Sequence, residues 1–308
     1  MNTKDIRLSE QLSVLLGKVN DYLKNKDVFE IIVNPDGKVF LKTNIGDIQS
    51  PYILDSKKRR QIINQIASFS NNIANEENPL LAAEFFNMRF QGFLPPAAEA
   101  PCFNIRKHIS KVLSLEDYVE TGIMTDKQKN IIVEHIKNKK NIIVAGATYS
   151  GKTTLLNAIL GEIAKTKDRV VMIEKEPELL CLSQNKLSLR ATEKISMDML
   201  LKATLRATPD RIIVGEVRGD EALTLLDAWS TGHSGGASTI HANSAKDTIT
   251  RLEQLVARVL DKNIEYVIGQ AVDLIIYIKF IGTTRKVTSI LEINDYSRKD
   301  NCYNLKEL

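Results

Sequence analysis

A glycine-rich stretch with one lysine is the part of the sequence with the clearest chemical meaning. Residues 146–153 read Gly-Ala-Thr-Tyr-Ser-Gly-Lys-Thr and fit the pattern G-x-x-x-x-G-K-[ST]. An apolar segment, residues 141–145, precedes them, and residues 155–163 have the apolar spacing of a helix. Between a buried strand and a helix N-terminus, successive backbone N–H groups point at a phosphate group. The pattern therefore predicts a site for a nucleoside triphosphate.

The residues of this loop have separate expected roles. We expect Lys152 to bridge the β- and γ-phosphates and the Thr153 hydroxyl to ligate Mg²⁺. The predicted nucleotide contacts in the loop are Gly146, Ala147, Thr148, Tyr149, Ser150, Gly151, Lys152, Thr153 and Thr154. Tyr149 stands where glycine is usual, and a residue with a Cβ in a left-handed conformation costs about 1–2 kcal/mol. We expect Tyr149 to modulate nucleotide affinity without abolishing binding.

Two glutamates follow apolar runs that we predict to be strands. Glu174 comes after Val170–Ile173, and Glu216 comes after Ile212–Gly215. Because the carboxyl ends of parallel strands lie at one edge of a sheet, both acids should approach the phosphate loop. One acid can hold Mg²⁺ through water while the other polarises the attacking water. A single acid after a strand is usually a solvated loop residue, but the neighbours of Glu216 argue against that interpretation.

The elements that must position these residues fall into two predicted domains. Residues 1–108 mix helices with antiparallel strands, as in a small α+β domain. Residues 109–126 show no regular spacing of apolar residues and are predicted to be a linker. Residues 127–308 alternate helices with short, uninterrupted apolar strands, which is typical of strands buried on both faces of a parallel sheet.

The composition sets limits on the protein's class and location. A chain of 308 residues can form two domains, and a net charge of +4 argues for no particular acidic partner. The cysteines, Cys102, Cys181 and Cys302, have no metal-binding spacing and indicate a reduced, cytosolic chain. We find no export signal and no segment of ~18 apolar residues, so any membrane association is expected to be peripheral. The basic clusters at residues 57–60 and 137–140 are most consistent with solvated helix faces or ends.

Several motifs resemble those of the ring-forming motor ATPases of bacterial conjugation and type IV secretion. The matching segments are residues 90–96, 104–107, 205–222, 231–233 and 238–243. In that family a glycine and a glutamate end the Walker B strand, as Gly215 and Glu216 do here. The Ser-Thr-Ile-His-Ala-Asn stretch is similar to its histidine box. Together with Arg-Gly-Asp-Glu-Ala, this box resembles the TrbB type of conjugal-transfer ATPase most.

The resemblance implies a fold, ligands and partners. It implies a RecA-like P-loop ATPase domain preceded by a smaller α+β domain, which binds ATP and Mg²⁺. It also implies a homohexamer that works with inner-membrane components of a secretion or conjugation machine, in the cytoplasm and peripheral to the inner membrane. We expect no direct binding of nucleic acid.

The resemblance also implies roles for single residues. The expected catalytic residues are Lys152, Glu174, Glu216 and His241. Glu216 would act with Thr153 at the magnesium, and His241 would sense the γ-phosphate. Arg89 and Arg106 would reach the nucleotide from the N-terminal domain.

Two positions depart from the family pattern, and three others allow alternatives. Tyr149 replaces a glycine, and Lys175 replaces the aspartate that usually follows Glu174. Both changes favour an alternative in which the chain binds nucleotide but hydrolyses it poorly, as an assembly component of the same machinery. Arg206 and Arg218 could act on a neighbouring subunit or be structural ion-paired arginines, and His233 could be catalytic or structural.

A nucleic-acid motor of the RecA class is a further alternative. The shared ATPase architecture and the mild basicity suggest it. The sequence lacks the interleaved aromatic and basic residues and the recognisable modules of nucleic-acid-binding proteins. We therefore rank this function below the secretion motor.

Overall fold

A computed structural model describes residues 3–43, 46–86, 88–107, 112–259, 264–282 and 284–308. The chain forms two compact units, Met1–Ile109 and Ser110–Leu308. Among the described residues, no helix has both the length and the apolar character needed to cross a membrane.

The first unit consists of one antiparallel sheet with helices against one of its faces. Its helices are α1 (Thr3–Leu16), α2 (Asn20–Lys24) and α3 (Ser56–Phe69). Its strands are β1 (Val28–Val33), β2 (Lys38–Thr43), β3 (Gly46–Ile53), β4 (Leu80–Phe85), β5 (Met88–Phe93) and β6 (Cys102–Lys107). The strand order is β3-β2-β1-β6-β5-β4, and every neighbouring pair is antiparallel. Apolar side chains of α1, α3 and alternate strand residues form its core, so the unit has the predicted α+β character.

Helix α3 shows where the prediction for the first basic cluster was too simple. Asp55 caps the helix by accepting a hydrogen bond from the backbone of Lys58. Arg59, one of the cluster residues predicted to be solvated, is buried. Its guanidinium donates to the carbonyl oxygens of Pro101 at 2.6 Å and Pro35 at 2.7 Å. Because these carbonyls lie in separate loops, Arg59 links the loops to the helix and stabilises the unit.

The second unit is an α/β layer structure with helices on both faces of its sheet. Its helices are α4 (Leu115–Glu120), α5 (Asp126–Lys137), α6 (Lys152–Ile163), α7 (Met197–Thr204), α8 (Glu221–Ser230), α9 (Ala245–Val256) and α10 (Glu265–Ala271). Its strands are β7 (Ile142–Gly146), β8 (Val170–Glu174), β9 (Lys186–Arg190), β10 (Arg211–Val214), β11 (Ala237–His241), β12 (Leu274–Ile281), β13 (Thr284–Ser297) and β14 (Cys302–Glu307).

The sheet of the second unit has the order β14-β13-β12-β7-β11-β10-β8-β9. The neighbouring strands β12, β7, β11, β10, β8 and β9 are all parallel. Strands β13 and β14 extend the sheet beyond β12 as antiparallel strands. Every residue of β7, β8 and β10 is buried, because α4, α5 and α6 cover one face while α7 to α10 cover the other. This confirms the predicted parallel sheet with both faces covered.

The segment predicted to be a linker belongs largely to the second unit. Residues 109–111 lie outside the described residues. From residue 112 onward the chain contains α4, which begins with a capping box formed by Ser114 and Asp117. Leu115 and Tyr118 are buried in the core of the second unit. A helix of two turns is too short to show a clear apolar period in the sequence, which explains why it was not predicted.

The parallel strands bring the predicted site residues to one edge of the sheet. Gly146 ends β7, Glu174 ends β8, and His241 ends β11. Glu216 follows β10 by two residues. His233 precedes β11, so it lies toward the opposite edge from His241. Of the two histidines, only His241 is therefore placed at the predicted site.

Candidate active site

The predicted phosphate loop joins β7 to α6, as its sequence requires. A Cβ on Gly146 would overlap the carbonyl oxygen of Ile278 and lie 2.6 Å from Ser150 Oγ, so a larger residue does not fit. Gly151 precedes α6 with φ +99°, a conformation that favours glycine. The Ser150 hydroxyl is buried and has no hydrogen-bond partner in the described part of the chain. A buried hydroxyl of this kind is a group that a phosphate oxygen could satisfy.

Tyr149 occupies the tip of the loop in a left-handed conformation, with φ +64°. Its side chain is 37% exposed. Glycine is usual at this position because it adopts a left-handed conformation without steric cost. Tyr149 has a Cβ, so its backbone conformation costs about 1–2 kcal/mol.

Lys152 connects the loop to the end of β11. Its side chain is only 7% exposed. The Nζ group donates to the carbonyl oxygen of Ala147 at 3.0 Å and lies 3.2 Å from Nδ1 of His241. The structure thus brings together two of the predicted catalytic residues, Lys152 and His241.

His241 in turn connects Lys152 to Glu216. Its Nε2 lies 2.9 Å from Glu216 Oε1, and the other oxygen, Oε2, forms an ion pair with Arg218. Burial raises the pKa of Glu216, but its contacts with His241 and Arg218 outweigh burial and bring this pKa to about 2. Glu216 is therefore a stable anion. Oε1 has no well-aligned hydrogen-bond donor among the described residues, so it can still accept one.

Glu174 lies in a different environment although it also ends a strand. Its side chain is 8% exposed, and Oε1 accepts hydrogen bonds from the backbone N–H groups of Glu178 and Leu179 at 2.9 and 2.8 Å. Burial is the dominant cause that raises the pKa of Glu174 to about 7, despite these two hydrogen bonds. Glu174 can therefore exchange a proton near neutral pH.

Arg218 is surrounded by acidic side chains. Its hydrogen bond to Glu216 and its Coulomb interactions with Glu216, Glu176 and Glu178 raise its pKa. The acidic loop after β8 thus faces the end of β10. Lys175, the departure from the family pattern, is exposed. Arg218 supplies an ion pair within its own chain, which is one of the two roles considered for it.

Two of the remaining predicted loop residues line an open cleft, and two others lie in the first turn of α6. Thr153 and Thr154 begin α6 and are half-buried. Ala147 and Thr148 border a cleft of about 590 Å³, whose opposite wall is formed by Asn243 and residues of α9. His241 also lines this cleft, so the space adjoins the Lys152–His241 contact.

Arg89 and Arg106 belong to the first unit. They are direct cross-strand partners on β5 and β6. Glu84 lies opposite Arg89 on β4, and Glu30 lies opposite Arg106 on β1. Each arginine of the pair thus has a second cross-strand neighbour of opposite charge. Their contact with nucleotide remains a prediction.

Two residues near the site were missed from the sequence. The buried Asn157 of α6 donates to the carbonyl oxygen of Glu178 at 3.1 Å and accepts from the backbone of Leu180 at 2.9 Å. Glu221 accepts from the backbone N–H groups of Arg218 and Gly219 at 2.6 and 3.0 Å. A polar residue within the apolar run of α6 was a usable signal for Asn157. Glu221 lies in the Arg-Gly-Asp-Glu-Ala motif that carries the family resemblance, but no role was predicted for it, because acids are common at helix starts.

The sequence is similar to known proteins over most of its length. Residues 81–293 match the family model described as type II/IV secretion system protein. The conjugal transfer protein TrbB of Rhizobium radiobacter is 41% identical over 278 residues, which cover 89% of this chain and 86% of that protein. The probable conjugal transfer protein TrbB of Sinorhizobium fredii is 39% identical over 296 residues, with coverage of 94% and 91%.

Solved structures show a likeness of fold. The X-ray structure of the Legionella pneumophila ATPase DotB matches 89% of this chain and 78% of its own, with a TM-score of 0.65 and 18% identity. At this identity the match concerns the fold alone. It agrees with the predicted RecA-like domain preceded by a smaller α+β domain.

Proposed function

The chain belongs to the type II/IV secretion system protein family, and we propose that it hydrolyses ATP to power conjugal transfer or type IV secretion. The observation that supports this function best is the continuous series of contacts Lys152–His241–Glu216 beside the phosphate loop. It links a phosphate-binding lysine to an ionised carboxylate at the end of the adjacent strand. An arrangement of this kind can couple the presence of a γ-phosphate to the position of the acid.

ATP binding would use the backbone of the phosphate loop and the charge of Lys152. On binding, Nζ of Lys152 exchanges its contacts with Ala147 and His241 for phosphate oxygens. His241 is then free to contact the γ-phosphate, while its other nitrogen remains near Glu216. Ser150, whose hydroxyl is buried and unpaired within the described chain, can donate to a phosphate oxygen.

A magnesium ion fits the donors at this edge of the sheet. The Thr153 hydroxyl lies in the first turn of α6, and Glu216 offers an ionised carboxylate whose Oε1 lacks an aligned donor among the described residues. Mg²⁺ commonly binds through one or two protein oxygens together with phosphates and water. When bound, it would neutralise charge on the transferred phosphoryl group. Thr153 and Glu216 are the residues we propose to hold it.

The two acids would divide the work of hydrolysis. Glu216, as a permanent anion, orients water and the metal. Glu174 acts as the general base, because a pKa of about 7 suits a group that must gain and lose a proton near neutral pH. Both backbone donors to Glu174 use Oε1, so Oε2 is the oxygen proposed to accept the proton of the attacking water.

The remaining roles follow from the family. We assign the chain to a homohexamer that acts in the cytoplasm at the inner membrane, with inner-membrane components of the machine as partners. Arg89 and Arg106 would contact the nucleotide from the N-terminal domain. Arg206, which is exposed, is available to a neighbouring subunit.

The first experiment is steady-state ATP hydrolysis by the purified, size-characterised protein with Mg²⁺, with Lys152→Ala as the control. We expect turnover that falls by at least about 10²-fold in the variant. ATP binding without turnover in a hexameric wild-type sample would support the hydrolysis-impaired component, which the strained Tyr149 favours. A wild-type protein that neither binds nor hydrolyses ATP would overturn the proposal.

A further inference from the structure

The hairpin formed by β12 and β13 borders the phosphate loop. Strand β12 runs parallel to β7, with Ile276 opposite Val144 and Tyr277 opposite Ala145. Beyond this pairing, the carbonyl oxygen of Ile278 fills the space beside Gly146. The hairpin is thus a wall of the loop, supplied by residues more than a hundred positions later in the sequence.

Arg285 is the side chain by which this wall contacts the tip of the loop. Its Nε and one Nη each lie 3.4 Å from the carbonyl oxygen of Tyr149. A Cβ built on Gly151 would lie 3.0 Å from Cδ of Arg285, so the aliphatic part of Arg285 packs directly against that glycine. The guanidinium also lies over the ring of Phe280, 4.8 Å from its centre. Arg285 therefore contacts both residues of the loop that have left-handed backbones.

The strand that carries Arg285 is itself firmly attached. The backbone N–H of Val287 donates to the carbonyl oxygen of Ile123 at 2.8 Å, and Gln128 Nε2 donates to the carbonyl oxygen of Val287 at 3.2 Å. Lys286 donates to the carbonyl oxygen of Gly122. Because these bonds hold Lys286 and Val287, the strand is fixed in place directly after Arg285.

We propose that Arg285 is a positioning residue of the phosphate loop and that it compensates for Tyr149. The left-handed backbone at Tyr149 is costly for a residue with a Cβ, and the guanidinium stabilises it by binding the carbonyl oxygen that this conformation presents. The loop is then already in the shape that receives phosphates. The inference rests on the proposed binding of nucleotide at this loop. It predicts that Arg285 affects nucleotide affinity more than the rate of the chemical step.

The test compares ATP binding and hydrolysis in the full-length protein carrying Arg285→Ala, Arg285→Lys or Arg298→Ala. Arg298 is a matched control, because its guanidinium also lies over an aromatic ring, 3.9 Å from the centre of Tyr266, and it directly follows the other end of β13. We expect Arg285→Ala to raise the Kd and KM for ATP about fivefold while kcat stays within about twofold. Arg285→Lys retains the charge with different donor geometry, so its Kd should lie between those of wild type and Arg285→Ala. Arg298→Ala should match wild type.

A double-mutant cycle with Tyr149→Gly tests the compensation itself. Glycine has no left-handed penalty, so Arg285→Ala should raise Kd by less than about twofold in the Tyr149→Gly background. Equal effects of Arg285→Ala in both backgrounds would overturn the compensation. A wild-type Kd that is lost in Lys152→Ala but unchanged in Arg285→Ala would overturn this inference alone. Failure of the wild type to bind ATP would overturn the proposed function instead.

Discussion

Glu174 and Glu216 follow neighbouring strands of one sheet, and their surroundings give them opposite properties. Glu174 is more deeply buried, and its donors are two backbone N–H groups. Glu216 contacts the side chains of His241 and Arg218. The pKa of Glu174 rises to about 7, while that of Glu216 falls to about 2. The difference shows that two backbone N–H donors do not offset burial here, whereas the contacts with His241 and with the charged guanidinium of Arg218 do.

In the proposed function, this contrast gives different work to two residues of the same type. A group with a pKa near the working pH can accept and release a proton, whereas a permanent anion can hold a cation or orient water. Gly215 keeps the two environments close, since a Cβ there would lie 3.1 Å from Cγ of Glu174. In the proposed function, the two acids can therefore act on one substrate although their pKa values differ widely. The predictions below test this division.

The largest expected effect is that of Glu216→Gln. Loss of the permanent negative charge should lower kcat by about 10³-fold, because it removes electrostatic positioning at the reacting phosphate. The Kd for ATP should change little, since Lys152 and the loop are intact. Steady-state hydrolysis and equilibrium binding, measured on one preparation, provide the check. A Glu216→Gln variant that keeps roughly a tenth or more of the wild-type turnover would contradict the role proposed for Glu216.

Glu174→Gln should have a smaller effect on rate but a clear effect on its pH dependence. A base with a pKa of about 7 is protonated below that pH, so the wild-type kcat should rise from pH 6 to pH 8. In the variant, kcat should be about 10²-fold lower at pH 8 and this rise should disappear. Glu216→Gln serves as the comparison, because its residual activity should retain the rise. An unchanged rise in Glu174→Gln would show that another group acts as the base.

Much of the second unit could be predicted from the sequence because its local signals agree with its tertiary structure. Uninterrupted apolar runs predicted β7, β8 and β10 nearly to the residue. Strand β9 was missed, because its residues alternate between exposed and half-buried at the sheet edge. In the first unit, the spacing of Leu8, Leu12, Leu15, Val19 and Tyr22 predicts one helix over residues 6–25, but the helix is interrupted at Gly17, which has φ +53°. The sequence alone does not show whether a given glycine has a positive φ.

The site could be predicted only as far as its strand ends and loop. The topology rule placed Glu174 and Glu216 at one edge, and the family resemblance added His241. The structure brings Glu216 and His241 into contact with each other. The rule does not predict in which direction each side chain points or which groups it contacts. The loop after β8 that binds Glu174 is held by Asn157 of α6, and Arg285 reaches Tyr149 from β13. Both arrangements depend on the packing of segments distant in sequence. For that reason the charge states of the two acids could not be predicted.

The smallest expected effect is on stability, and it tests the buried state of Glu174 without any nucleotide. The folded pKa of about 7 lies above the ordinary value of 4.5, so the folded protein binds the proton more tightly than the unfolded chain does. The contribution of Glu174 to stability is full below pH 4.5 and is lost as the pH rises to about 7. Glu174→Gln removes this loss. The free energy of unfolding of the variant, relative to wild type, should therefore increase by about 2 kcal/mol between pH 5 and pH 8.

Urea unfolding followed by the fluorescence of Trp229 measures this difference directly. Trp229 is the single tryptophan of the chain and is buried in the second unit, so its signal reports on the unit that contains Glu174. Glu193→Gln, which removes an exposed carboxylate of the same unit, should show the same pH dependence as wild type. A difference between Glu174→Gln and wild type that does not change with pH would mean that Glu174 is ionised throughout this range. Glu174 and Glu216 would then be two equivalent anions, and the division of work between them would fail.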